Sequence, residues 1–327
     1  MSWIEASAPS NIALIKYMGK LDSSGNKPTN ASLSWTLEKL RTFVRIQKNE
    51  QLKTDTWKAY EREDLRPIAL SLKGQEKFLN FFDDLKKEFK LTGFYEIESA
   101  NNFPSDCGLA SSASSFAALT LCAHQVYLSE SEHKSRPYLA KELSRLSQKG
   151  SGSSCRSFFA PWALWHDVGA EEIKLPLSSL RHLVILCDET VKSVSSSEAH
   201  KLVLTSELFK GRPERAQERL QNLISATRAG DWEKMCKISW NEFWDMHTLF
   251  HTSQPTFMYM NGDSLFVLNY LQRLENQRPE RALITMDAGS NIHLLIKNED
   301  SQLYQDLIGY FSEYFNIWTD EGMVKKC

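Results

Sequence analysis

Three charged side chains stand out by their surroundings in the 327-residue chain. Lys16 ends the apolar run Ile12-Ala13-Leu14-Ile15, where an ammonium is costly to bury unless an acid or a bound phosphate meets it. Arg156 follows Gly150-Ser151-Gly152-Ser153-Ser154-Cys155, and its planar guanidinium is shaped to grip a carboxylate through two parallel hydrogen bonds. Asp287 opens the turn Asp287-Ala288-Gly289-Ser290-Asn291 between two apolar runs, a place where a carboxylate often makes a turn hydrogen bond. On residue type alone each also has an ordinary reading: a strand lysine reaching solvent, a surface arginine, a turn aspartate.

A fourth feature is the segment Phe103-Pro104-Ser105-Asp106-Cys107-Gly108-Leu109-Ala110-Ser111-Ser112-Ala113-Ser114-Ser115. Small side chains here let phosphate oxygens approach the backbone, and the free N–H groups and dipole of the Ala-rich helix that follows favour an anion. The hydroxyls of Ser111 and Ser112 add donors or a magnesium ligand. The same residues also suit the cap of a buried helix. No GKS/T ends the segment and it holds one glycine, so it is neither a Walker loop nor a dinucleotide fingerprint.

Elements must position these groups. Apolar runs bounded by turn residues predict strands over 32–37, 43–46 and 95–99, with helices over 76–89, 112–127 and 137–148, the last stopped by the glycines and serines that precede Arg156. A strand over 158–165 follows. The polar stretch 47–63 reads as a hairpin connection or loop. Beyond residue 180 the pattern turns more helical: a strand over 182–186, helices over 212–228, 231–250 and 264–275, strands over 282–286 and 292–296 flanking Asp287, and a closing helix over 301–315. Length favours two domains, divided here into 1–180 and 181–327.

Composition narrows the function classes. Hydrophobic content of 42% and charged content of 24% suit a folded globular protein, and a net charge of -2 supplies no global field for nucleic acid or an anionic membrane. Six scattered cysteines form no CxxC pair, and His247, His251 and His293 lack the glutamate of a zinc-binding HExxH, so core or surface histidines and free thiols are expected. Trp240 and Trp244 read as helix packing. With no signal-peptide pattern and no run of about 18 apolar residues, a cytoplasmic protein outside the membrane is expected.

Five segments, in order, resemble the diphosphomevalonate decarboxylases of the GHMP kinase superfamily: 8–20 (APSNIALIKYMGK), 28–34 (PTNASLS), 104–114 (PSDCGLASSAS), 150–157 (GSGSSCRS) and 286–291 (MDAGSN). A looser likeness covers 194–212. The resemblance implies an α+β, two-domain GHMP kinase fold with its active site in the cleft between domains. It implies ATP and Mg2+ as cofactors, a small phosphorylated substrate and a homodimer. Asp287 would face the substrate's 3-hydroxyl, Lys16 would sit beside Asp287, and Arg156 would hold the C1 carboxylate that leaves as carbon dioxide. Tyr17 and Lys20 would hold the terminal phosphates, Ser151 and Ser153 would donate to phosphate or carboxylate, and Lys77 would reach the diphosphate. Gly108, Leu109, Ala110, Ser111, Ser112 and Ser114 would receive the ATP phosphates, and Ser112 the magnesium.

The implied reaction is ATP-dependent decarboxylation of mevalonate 5-diphosphate to isopentenyl diphosphate, ADP, phosphate and CO2. The same motifs leave open the 5-monophosphate as substrate, or a mevalonate 3-kinase that stops at phosphoryl transfer. Met18 stands where a Trp is common and Ser290 where a Pro is common, while Asp106-Cys107 replace small apolar residues. Asp106 is the odd member, because a carboxylate beside a phosphate loop repels its ligand unless it points away or binds magnesium.

Overall fold

The computed structural model describes residues 2–21, 26–104, 111–130, 136–166, 169–190 and 192–327. A first sheet gathers seven strands: β1 (Ile4–Ile15), β2 (Ser32–Lys48), β3 (Thr56–Ala59), β4 (Arg66–Pro67), β5 (Tyr95–Asn101), β6 (Trp162–His166) and β7 (Gly169–Glu172). Its spine is β2, which pairs antiparallel with β1 along most of its length, with β6 near its start and with β5 near its end.

Two sequence expectations change here. The strands expected over 32–37 and 43–46 are one, because the register on β1 shifts between Pro9 and Ser10 and leaves exposed Glu38 and Lys39 in a bulge instead of a turn. The polar stretch 47–63, expected as a loop, contains β3, which pairs parallel with β5.

Three helices cover this sheet: α1 (Leu72–Phe89), α2 (Ser111–Glu130) and α3 (Ala140–Gly150). The amphipathic α1 turns Phe78, Phe81, Phe82, Leu85 and Phe89 inward, whereas α2 is apolar around most of its circumference and packs as a buried central helix. As expected, the Gly/Ser segment before Arg156 ends α3, with Ser151 as its extended C-cap. The helix runs through Gly150, and a 3-10 turn, Gly152–Phe158, carries the chain on to β6.

The second half supplies β8 (Arg181–Leu186), α4 (Ser196–Leu202), α5 (Arg212–Ala229), α6 (Trp232–Thr252), α7 (Gly262–Glu275), β9 (Leu283–Thr285), β10 (Ile292–Ile296), α8 (Ser301–Ser312), β11 (Asn316–Thr319) and β12 (Gly322–Val324). Its five strands form an antiparallel sheet in the order β12-β11-β8-β10-β9. Strand alternation divides the side chains between two cores. Leu183, Ile185 and Leu294 face α7 and α8, while Val184, Leu186 and Leu295 face α5 and the β1–β2 ribbon of the first sheet. That shared core, reinforced by Thr285 Oγ1 donating to the Ala13 carbonyl at 3.2 Å, brings the C-terminal end of β1 to the turn after β9.

Candidate active site

Lys16 is the first residue beyond β1, and its main chain is gripped from both sides. Its N–H donates to Glu242 Oε1 on α6 at 2.9 Å, and its carbonyl accepts from Asn30 Nδ2 at 2.9 Å. Glu242 and Arg212 are both fully buried and paired at 2.5 Å, and Arg219 and Asp245 extend the network. Two helices of the second half therefore fix the end of a strand of the first.

This places the Lys16 ammonium, 2% exposed, 2.7 Å from Asp287 Oδ1, whose side chain keeps 27% of its surface open. The turn bearing Asp287 is pinned in its own right. His247 Nε2 donates to the Asp287 carbonyl at 3.1 Å, Ser264 Oγ donates to the Ser290 carbonyl at 2.7 Å, and Lys192 donates to the Ala288 carbonyl. Burial pushes the Lys16 pKa down, and attraction to Asp287 and Glu242 restores it only in part. Burial also pushes the Asp287 carboxyl up, but Lys16, His293 and Arg156 more than offset this and hold it below the ordinary carboxylate value. The Asp287 carboxyl is therefore anionic at neutral pH, with part of its surface left open to a ligand.

Arg156, 4% exposed, is aimed by Asn11 Oδ1, which accepts from Nε at 3.0 Å, and by Ser32 Oγ, which accepts from Nη1 at 2.8 Å. Its Nη2 edge has no protein partner among the described residues. Burial lowers its pKa while the Asp287 carboxylate acts in the opposite direction, so Arg156 and Asp287 share one electrostatic field. Asn11 further donates to Ser157 Oγ at 2.8 Å and to the Ser153 carbonyl at 3.2 Å, locking the 3-10 turn onto β1.

Around this centre stand the remaining candidates. The Tyr17 ring packs edge-on against Trp165 at 4.5 Å, and a Cβ at Gly152 would lie 3.0 Å from both rings, so a larger residue there would have to shift them. Gly19 has φ +92°, a left-handed conformation that favours glycine, and brings Lys20 round so that its Nζ donates to Asn26 Oδ1 at 2.6 Å. Ser151 and Ser153 are half-buried, with hydroxyls 3.4 Å apart. Lys77 is exposed on α1, its ammonium 5.0 Å from the centroid of Phe116, whose ring also packs against Gly150, so one ring separates it from the turn.

At the start of α2, Ser111 is half-buried and Ser112 exposed, where a ligand can reach them. Ser114 is corrected: it is fully buried, 2.6 Å from Thr42 Oγ1, and anchors α2 to the sheet instead of meeting nucleotide. Gly108, Leu109 and Ala110, with Asp106 and Cys107, lie outside the described residues. Among the described residues no group of three His, Cys, Asp or Glu side chains is placed to hold a metal. A magnesium ion bridging phosphates suits hydroxyl oxygen better than nitrogen or sulfur, which is the donor Ser112 offers.

Sequence reasoning missed Asn11, Ser32, Glu242, Arg212 and Lys192, and read His247 only as a core or surface histidine. Asn11 and Ser32 lie inside the matched segments, and a polar side chain within an apolar strand was their available signal. Glu242 and Arg212 look like ordinary charges on amphipathic helices, and only the fold shows them buried.

Two sheets sharing one core, with a Gly/Ser-preceded central helix and a lysine–aspartate pair at their junction, define an enzyme of the GHMP kinase fold. Residues 8–174 match the diphosphomevalonate decarboxylase-like N-terminal domain, and residues 182–326 the mevalonate 5-diphosphate decarboxylase C-terminal domain. The chain belongs to the diphosphomevalonate decarboxylase family.

Among its relatives is the diphosphomevalonate decarboxylase of Debaryomyces hansenii, 30% identical over 333 residues that cover 95% of this chain and 83% of that one. A mevalonate diphosphate decarboxylase from Legionella pneumophila superposes with a TM-score of 0.89 at 39% identity, covering 97% of this chain and 100% of that one. The protein solved as MDDEF in complex with MVAPP, AMPPCP and magnesium superposes with a TM-score of 0.84 at 30% identity, covering 99% and 96%.

Proposed function

We propose that this chain carries out ATP-dependent decarboxylation of mevalonate 5-diphosphate to isopentenyl diphosphate, with ADP, phosphate and CO2 as the other products. The observation that carries the reading is the 2.7 Å pair of Lys16 and Asp287, half-open on the carboxylate side and within the field of Arg156. Family membership and a relative solved with MVAPP, AMPPCP and magnesium support it.

Asp287, anionic at neutral pH, orients the tertiary 3-hydroxyl and receives its proton. A carboxylate of lowered pKa is a weak base, which suffices because phosphoryl transfer has a loose transition state and the proton departs late. The 3-oxygen bonds to the γ-phosphorus as the bond to ADP breaks, and Lys16 stabilises the negative charge passing through the centre. Phosphate then leaves C3 with its bonding electrons, where hydroxide would leave poorly. The C1–C2 electrons form the C2–C3 double bond as CO2 departs. Arg156, its Nε and Nη1 already occupied, offers its remaining edge to the C1 carboxylate and aligns the breaking bond.

Tyr17, Lys20, Ser151 and Ser153 hold the 5-diphosphate, with Lys77 reaching from α1. Ser111 and Ser112 meet the ATP phosphates, and Ser112 would hold the magnesium ion, which would neutralise their charge. The chain divides as 1–180 and 181–327, acts in the cytoplasm and pairs as a homodimer. No helix among the described residues is long and apolar enough to cross a membrane.

The test is incubation with ATP and Mg2+ against mevalonate, its 5-phosphate and its 5-diphosphate, following CO2 and ADP together. Equimolar CO2 and ADP, fastest from the diphosphate, is expected. ADP without CO2 from all three would refute the decarboxylase.

A further inference from the structure

His200, on α4, is 9% exposed and lies against the loop that follows β1. Its Nδ1 accepts the Gly19 N–H at 3.0 Å, and its ring packs on Tyr17 with centroids 4.3 Å apart. A backbone N–H can only donate, so Nδ1 is the bare nitrogen and the proton of the neutral ring sits on Nε2. Burial, with the charges of Lys20 and Arg156 nearby, pushes the pKa down to about 3 and keeps that neutral tautomer at physiological pH. Nε2 has no protein partner among the described residues. The Nε2–H, on a ring packed against Tyr17 and within the field of Lys20 and Arg156, therefore has its hydrogen unused by the protein and free for a ligand.

We propose that His200 is a substrate-binding residue whose Nε2–H donates to a phosphate oxygen at the 5-phosphorylated end of the substrate. This rests on the function proposed above, because it takes Tyr17 and Lys20 as that end's neighbours. A neutral donor here adds a directed hydrogen bond to phosphate without placing a third positive charge beside Lys20 and Arg156, where it would raise the cost of the unliganded site. The Gly19 hydrogen bond fixes the tautomer, so the donor is set before substrate arrives.

Two conservative variants separate the two ring nitrogens. H200N keeps an acceptor near the Nδ1 position for Gly19 but loses the distal donor, whereas H200Q places an amide N–H near the Nε2 position. Calorimetric titration of the wild-type and variant proteins with mevalonate 5-phosphate and 5-diphosphate, without nucleotide, reads the effect directly. H200N should weaken binding of whichever ligand the wild type takes by roughly ten- to a hundred-fold, the range for a hydrogen bond to a charged group. H200Q should recover most of that loss, and affinity for an ATP analogue should change in neither. Wild-type affinity in H200N, or a larger loss in H200Q than in H200N, overturns the proposal and leaves His200 as a prop for Gly19. If the wild type binds the monophosphate and not the diphosphate, the substrate reading fails while the His200 comparison still stands. If it binds neither, both fail.

Discussion

Glu242 Oε1 accepts the Lys16 N–H at 2.9 Å, and five residues along the same helix His247 donates to the Asp287 carbonyl at 3.1 Å. One helix of the second half thus holds both Lys16 and Asp287 by their main chains, leaving their side chains to meet at 2.7 Å. The arrangement uses a buried charge, which must itself be matched: Glu242 is paired with fully buried Arg212.

Removing that charge should be expensive. Glu242→Gln keeps the shape and an acceptor for Lys16 but leaves Arg212 with only Asp245, 3.4 Å away, as a charged partner. Breaking one side of a buried ion pair typically costs about 3–5 kcal/mol, so chemical denaturation should show a loss of that order. A loss below about 1 kcal/mol would show that the network is not structural.

Stability should also fall on mild acidification. Burial holds His200 and His247 at pKa values of about 3, well below the ordinary histidine value. The unfolded chain takes up protons near pH 6.5 and the folded chain does not, so both groups leave stability untouched above that pH and erode it as pH falls towards 3. At pH 5 each accounts for about 2 kcal/mol. Unfolding free energies measured between pH 7 and 5 should decline, and H200N should decline less steeply by close to one proton. Equal slopes for wild type and H200N would show that His200 is not held neutral.

Arg156→Gln should lower kcat/KM by well over tenfold, because Asn11 and Ser32 aim a guanidinium edge that an amide cannot replace. Arg156→Lys should fall too, since charge without the planar fork does not orient a carboxylate. Steady-state kinetics decides: a loss in Arg156→Gln under tenfold, below about 1.4 kcal/mol, rules out the clamp.

Lys77 separates the two phosphorylated substrates. If its ammonium extends from above the Phe116 ring to the distal phosphate, Lys77→Ala should lower kcat/KM for the 5-diphosphate and leave the slower 5-monophosphate rate almost unchanged. Equal losses on both would remove Lys77 from the diphosphate site.

The parts of this site legible in the sequence are those whose oddity is local. Lys16 ending an apolar strand and small residues leading to an Ala-rich helix are visible within a dozen residues. Contacts between residues far apart in the chain are not: Glu242 meets Lys16 across 226 positions, and Arg156 meets Asn11 across 145. Ser114 shows the converse failure. Its neighbours Ser111 and Ser112 look the same in sequence, but helical rotation turns Ser114 onto Thr42 and into the core. The polar residues 47–63 hid β3 because a strand at the edge of a sheet need bury little.

The central claim is that the half-open carboxylate of Asp287, held by Lys16, drives phosphorylation of the 3-hydroxyl before carbon dioxide leaves. Asp287→Asn preserves size and removes the proton acceptor. Release of CO2 from mevalonate 5-diphosphate with ATP and Mg2+ should fall by at least ~10²-fold, with ADP formation falling in step and affinity for an ATP analogue nearly kept. Turnover within a few-fold of wild type would contradict the account.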